Sequence, residues 1–275
     1  MQSVIHSGDM GFCDYFRSWR QYRKLSQLEL ALEAGVSQRH VSWLETGRSN
    51  PSREMVIRLS EAMDMPLRER NVFLQAAGFA NLYTENSLDE PAMQAVYEAI
   101  RRVLDHHDPM PAVVVDRLWN VRMTNSGADL MFSLAGDSEE IWNSIGDGGE
   151  RNLALLTVHP QGLRRFISNW EEAAPEFIRR LKREALASGD REMKEKFADI
   201  IELAGPLPGT SDVSKAPLLP VLPLEVSANG LKLSLFSVIT TFGTPQDITT
   251  EELRIEAFYP NDAATEEIFK GFAQT

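Results

Sequence analysis

Two residues in the chain have the right types in the right place to read a base pair. Gln38 and Arg39 follow directly on Ser37, a residue type that starts helices. A glutamine amide offers a donor and an acceptor that match the edge of adenine, and a guanidinium fork matches guanine. At the start of a helix with a polar outer face, the pair would hydrogen-bond to bases in a major groove. Ser37, His40 and Trp43 complete the expected contact set on this segment. Gln27, Ser42 and Arg48 are expected to fix the backbone on phosphates, Gln27 by standing at a helix N-terminus.

Other chemistry has weaker support. His106-His107-Asp108 has metal-ligating types, but adjacent histidines on a helix cannot easily face one ion, and no other cluster has ligand spacing. These three are expected to form a helix-ending polar loop, and no metal is expected. GDGGE at 146–150 resembles a phosphate loop only in its glycines, since no Lys-Ser/Thr follows. There is no Gly-x-Ser-x-Gly elbow, and the only cysteine, Cys13, lies in the first helix as a small, partly buried residue. The carboxylate pairs Glu171-Glu172 and Glu251-Glu252 are adjacent on helices and read as solvated faces. No catalytic residue and no cofactor is expected.

The elements that would position Gln38 and Arg39 run from Ser26 to Pro51. Ser26 with Glu29 makes a capping box, and Leu28, Ala31 and Leu32 recur at helical spacing. Gly35 follows where a chain leaving a helix takes positive φ, and Val36 is expected to plug the corner. Ser37 caps a second helix in which Val41 and Leu44 point inward. Ala31 is small enough to let the two helices cross closely. Two short helices, a tight turn and a polar outer face make a helix-turn-helix. Around it, Gly11–Lys24 reads as a first helix with Phe12, Phe16 and Trp19 on one stripe. Ser52–Met63 reads as a fourth helix facing inward at Val56, Leu59 and Met63, and a fifth starts with Pro66 in its first turn and runs to about Ala77.

Residues 12–79 resemble the DNA-binding domain of the Cro/phage-repressor (XRE-type) family. The likeness is carried by Gln27, Leu30, Ala31, Gly35, Val36, Ser37, Val41, Leu44, Glu45, Gly47, Arg48 and Pro51 in joint spacing. It implies that Arg20 pairs with Glu45, tying the first helix to the end of the recognition helix.

The net charge of −12 hides an asymmetry. Residues 11–80 hold ten Lys/Arg against eight Asp/Glu, a balance of +2, which leaves −14 for the rest. Only one domain needs to face phosphate; an acidic second domain would be held away from DNA. The chain is long enough for two domains, 11–80 and 95–275, with a polar linker at 81–94 (NLYTENSLDEP and its neighbours). No run approaches the ~18 apolar residues of a membrane helix. The N-terminus lacks a basic region followed by an apolar run, so a cytoplasmic protein is expected.

In the second domain a helix over 92–104 precedes a change of period. PAVVVD and LWNVRM read as strands, and 124–134 as a helix starting at Asn125. A long helical stretch follows over 160–188, then another helix over 191–203. A proline-rich loop leads to strands at 222–228, 231–242 and 253–259. Asn229-Gly230 is a strong hairpin signal, and Asp262 caps a last helix over 263–272. This predicts an α+β domain with one antiparallel sheet and helices on one face, in PAS-like order. The segments PAVVVDRLWNVRMTN, RNLALLTVHPQGLRRFISNWEEAAPEFIRRLKREA and TPQDITTEELRIEAFYPNDAATE resemble the MmyB-like ligand-binding domain, over about 95–272.

The fold expected is thus an all-α helix-turn-helix domain followed by an α+β PAS-like ligand-binding domain. The second resemblance implies a bound apolar small molecule such as a fatty acid. Trp119, Met123, Leu130, Met131, Phe132, Phe166, Trp170, Phe236, Ile239 and Phe258 supply the apolar bulk to line such a site. The expectation is a homodimeric transcription regulator on a pseudo-palindromic operator, its DNA binding modulated by that molecule. The alternative is a DNA-binding module fused to an enzyme acting on a lipid-like or polyketide-like substrate.

Overall fold

A computed structural model describes residues 11–133, 136, 138–145, 150–206 and 221–272. The chain forms two compact units. One gathers the chain up to Asn86 together with Ser188–Arg191 and Thr244–Glu251; the other comprises Ser87–Ala187, Glu192–Gly243 and the chain from Glu252 on.

The first unit is helical. Its helices are α1 (Phe12–Tyr22), α2 (Gln27–Glu33), α3 (Gln38–Glu45), α4 (Arg53–Ala62) and α5 (Leu67–Ala76). Three of the five start where a serine side chain takes a backbone N–H two or three residues into the helix: Ser26 in a full capping box, Ser37 and Ser52. Between α2 and α3 the chain turns through Gly35 at φ +63°, and the Val36 N–H donates to the Ala31 carbonyl at 2.8 Å. Tyr15, Phe16, Trp19, Leu30, Val41, Leu44, Val56, Leu59 and Phe73 fill the core.

Three details differ from the sequence expectation. The buried stripe of α1 is Tyr15, Phe16 and Trp19, with Phe12 only half buried. Leu28 and Leu32 are 52% and 73% exposed; Leu30 and Ala31 face inward instead, because α2 turns its capping-box side to solvent. Pro66 stands just outside α5, as its N-cap, and offers no side-chain acceptor.

In the second unit a turn of 3-10 helix (Pro91–Met93) leads into α6 (Gln94–His107). Then come β1 (Ala112–Val115), β2 (Val121–Thr124), α7 (Ser126–Ser133), α8 (Ser138–Ile145), α9 (Leu153–Val158), α10 (Trp170–Ala187) and α11 (Arg191–Leu203). After the proline-rich stretch follow β3 (Leu224–Ala228), β4 (Leu231–Thr240), β5 (Arg254–Pro260) and α13 (Ala263–Phe272); the one-turn helix α12 (Ile248–Glu252), between β4 and β5 in sequence, belongs to the first unit up to Glu251. The strands form one antiparallel sheet in the order β2-β1-β5-β4-β3. Asn229 (φ 52°) and Gly230 (φ 79°) make the β3–β4 turn, and Asp262 caps α13 by accepting from the Thr265 N–H at 2.7 Å.

Helices cover both faces of the sheet, not one. Ile100 and Leu104 of α6 pack on Ala112, Val114, Ile255 and Ala257, while Val113, Val115, Leu235 and Phe258 face a cluster that includes Met131, Leu156, Ile178, Leu181, Phe197 and Phe269. The unbroken apolar run of β1, all four residues buried, is the signature of a strand covered on both sides. The stretch 160–188 is also not one helix. Leu163–Phe166 is a 3-10 turn, Ile167 bridges to Val226, and Asn169 accepts from the Glu225 N–H and donates to the Pro223 carbonyl, so that α10 begins only at Trp170. Helices α8, α9 and α12 are additions. Residues 146–149 of the GDGGE stretch and 207–220 of the proline-rich loop lie outside the described residues.

Candidate functional site

The first turn of α3 presents Gln38 and Arg39 to solvent; His40, Ser42 and Trp43 are half exposed beside them, and Arg48 is exposed just beyond the helix. The Arg39 guanidinium lies over the Trp43 ring, 4.3 Å from its centre. Stacking orders a long flexible side chain while leaving its N–H fork available, which lowers the entropy lost on binding. Ser37 serves the helix itself, since its Oγ accepts from the His40 N–H at 3.2 Å and so closes the first turn.

The other end of α3 is anchored by Glu45, only 3% exposed in its side chain. Arg20 grips it with two bonds, Nε to Oε1 at 2.5 Å and Nη2 to Oε2 at 3.1 Å, and uses Nη1 on the Leu25 carbonyl at 2.7 Å. Gln27 donates from Nε2 to Glu45 Oε2 at 2.7 Å. Gln27, expected at a phosphate by its place at the start of α2, thus has a second, internal partner in Glu45. A buried carboxylate has more acceptor sites than one arginine fills, and the Gln27 amide takes one of them. Arg17, which the sequence did not single out, reaches the Glu45 carbonyl at 2.8 Å. The end of α3 is therefore tied by four side chains, not two: Arg17 and Arg20 from α1, Gln27 from α2, and Glu45 itself.

A second buried polar link fastens α1 to α5. The Tyr15 hydroxyl donates to the Glu69 carboxylate in a short hydrogen bond. Burial first, and then the Glu69 charge, push the phenol well above its ordinary pKa. Phe73 of α5 stacks on Phe12 at 4.9 Å and meets Phe16 at 5.8 Å. Neither residue stood out in the sequence, where Tyr15 and Glu69 are 54 positions apart.

The apolar set expected to line a ligand site divides. Trp119, Leu130, Met131, Phe132, Phe166, Trp170 and Phe258 gather on one face of the sheet. Met123 packs on the opposite face with α6, and Phe236 stacks at 5.6 Å on Tyr259, which itself meets His107 of α6. Ile239 is 39% exposed. The division follows from strand alternation: Met123 pairs with Val114 and Phe236 with Tyr259, both positions on the α6 side.

Trp119 is also the hub of a charged cluster that the sequence did not reveal. Its indole N–H donates to Glu184 at 2.9 Å, its ring lies 4.3 Å under the Arg180 guanidinium and stands edge-on to Phe177. Arg254 pairs with Glu184 at 2.7 Å, Arg180 with Glu184 at 3.0 Å and with Glu256 at 3.4 Å, and Ser237 donates to Glu256 at 2.8 Å. Burial would raise the Glu184 carboxyl, but Arg254, the Trp119 N–H and Arg180 outweigh it and hold it below the ordinary glutamate value. Arg180 and Glu184 at i,i+4 were the one legible sign; their partners come from β5 and the β1–β2 turn.

Among the described residues no group of three or more His, Cys, Asp or Glu is placed to hold a metal ion, and no helix is long and apolar enough to cross a membrane. His106 and His107 lie in the last turn of α6 rather than in a loop, bonding the Arg102 and Phe258 carbonyls. Glu251 and Glu252 are not a solvated pair: Glu251 accepts from the Leu67 N–H at 2.8 Å and Glu252 meets Arg117 at 3.4 Å.

The family model of the MmyB-like transcription regulator ligand binding domain matches residues 96–270, and a helix-turn-helix model matches residues 16–70. No curated protein matches the chain.

Proposed function

The chain belongs to the MmyB-like transcription regulators, and from that membership we propose that it is a homodimer on a pseudo-palindromic operator whose affinity is set by an apolar, fatty-acid-like molecule held in its second region. That it is a ligand-responsive DNA-binding regulator follows from pairing a helix-turn-helix with this ligand-binding domain in one chain. The observation that carries the DNA half is the first turn of α3, where exposed Gln38 and Arg39 are held on a helix locked at its far end through Glu45. Gln38 and Arg39 then read base edges in the major groove, His40 and Trp43 flank them, and Ser42 and Arg48 hold phosphates. One helix-turn-helix spans too few base pairs for operator-grade specificity, so two are needed, with half-sites about 10 bp apart or a multiple of that.

The concentration of Trp119, Leu130, Met131, Phe166, Trp170 and Phe258 on one face supports an apolar ligand there, and the strand order β2-β1-β5-β4-β3 supports the PAS-like reading. Such a molecule alters DNA affinity only by binding two arrangements of the dimer unequally. Two measurements test the proposal. Native mass spectrometry of the purified protein is expected to show a dimer carrying an acyl species. Fluorescence anisotropy on an operator selected from random duplexes is expected to shift when dodecanoate is added. A monomer, or an operator affinity unmoved by saturating dodecanoate and by the co-purified species, overturns it.

A further inference from the structure

Helix α5 begins without a cap of its own. Its N-cap is Pro66, which has no side-chain acceptor, and the first amides of a helix need acceptors from outside it. The Leu67 N–H finds one in the Glu251 carboxylate, 2.8 Å away and 184 positions later in the chain. A carboxylate here also meets the positive end of the helix dipole. The segment that brings Glu251 is part of the first unit and is fastened to it a second time. Asp247 Oδ2 accepts from the Thr84 hydroxyl at 2.8 Å, the Asn86 N–H at 3.1 Å and the Asn86 amide at 2.9 Å, while the Ile248 N–H donates to the Thr84 carbonyl at 2.9 Å. The other added segment, Ser188–Arg191, meets the same first turn of α5, at Glu69. A Cβ on Gly189 would stand 2.7 Å from both carboxylate oxygens of Glu69, so a larger residue there would require the Glu69 side chain to shift.

From α5 the contacts continue inward. Glu69 holds Tyr15, Phe73 stacks on Phe12, and α1 holds the end of α3 through Arg17 and Arg20 on Glu45. We propose that Glu251 is a positioning residue for DNA recognition: it fixes the start of α5 and, through α5 and α1, the recognition helix. Residues 244–251 lie within the connection from β4 to β5. The inference rests on the assignment of DNA contact to α3.

Hydrogen exchange and operator titration on the full-length protein test it, at a temperature where circular dichroism shows each variant folded. Glu251→Ala is expected to speed exchange of residues 67–70 at least tenfold, to raise exchange in 38–45, and to weaken operator binding at least fivefold. Adding Pro66→Asp, which gives α5 a cap of its own, is expected to restore all three in the double variant. A role in stability alone would lower the melting temperature of Glu251→Ala and leave operator affinity of the folded protein within twofold of wild type. That outcome overturns the proposal, as does an affinity that stays weak once residues 67–70 are protected again. Should the wild-type chain show no sequence-specific DNA affinity, the functional assignment fails, and exchange at 38–45 decides alone whether Glu251 reaches α3.

Discussion

Glu45 shows how much can depend on a single carboxylate. It is buried, gripped by two nitrogens of Arg20, and also bonded by Gln27. Removing it leaves the Arg20 guanidinium, itself only 12% exposed, without its counter-charge. Breaking such a pair from one side costs about 3–5 kcal/mol. Glu45→Ala is therefore expected to lower the melting temperature clearly, and a change of a degree or less would place the pair's contribution near zero. Gln27→Ala removes one neutral donor to a carboxylate that keeps its arginine, so a smaller loss, about 1–2 kcal/mol, is expected from denaturant unfolding. Arg39 sits at the opposite end of α3, exposed over the Trp43 ring, where the proposed function gives it recognition and not stability. Arg39→Ala is expected to relax base preference at one position in each half-site, worth about 1–3 kcal/mol, with an unchanged melting curve. Uniform weakening on every operator variant would refute base readout by this residue.

At the scale of the element, the Trp119 cluster fastens α10 to β5. Glu184 there has a depressed pKa, so its contribution to stability is fully present above the ordinary value of 4.5 and is lost as pH falls through the lower folded value. Glu184→Gln is expected to be less stable than wild type at pH 7, with the gap closing below pH 4.5, as read from urea unfolding at each pH. A gap that stays constant on acidification would mean that charge is irrelevant to the link. The elements that were legible in the sequence are those whose signals are local. Ser26, Ser37, Ser52 and Asp262 each cap a helix within three residues, and Asn229-Gly230 makes its turn alone. What escaped was set by distant partners. Leu28 and Leu32 fit a helical period but fall outside, because α2 is oriented by the packing of Leu30 and Ala31. The break at Ile167 depends on Val226, and the role of Glu251 depends on Leu67. The candidate ligand set was chosen by residue type alone, so it could not tell which face of the sheet each strand residue occupies.

For the whole molecule, charge and chain path make separate predictions. Arg48 stands exposed beyond α3, in the part of the chain with net positive balance. Arg48→Ala is expected to weaken binding alike on all sequences and to flatten the dependence of log affinity on log salt by roughly one unit. An unchanged slope would exclude a phosphate contact. The path of the chain bears on how the protein can be cut. Residues 188–191 and 244–251 belong to the same compact unit as α1–α5, so the backbone passes between the two units five times. A protease nick at 86–87 would therefore not release the first 86 residues, since Asn86, Thr84 and Leu67 remain bonded to Asp247, Ile248 and Glu251. For the same reason a splice at a single point cannot transplant the helix-turn-helix intact: grafted alone onto another sensor, it would arrive with the first amide of α5 bare and the Glu69 carboxylate uncovered.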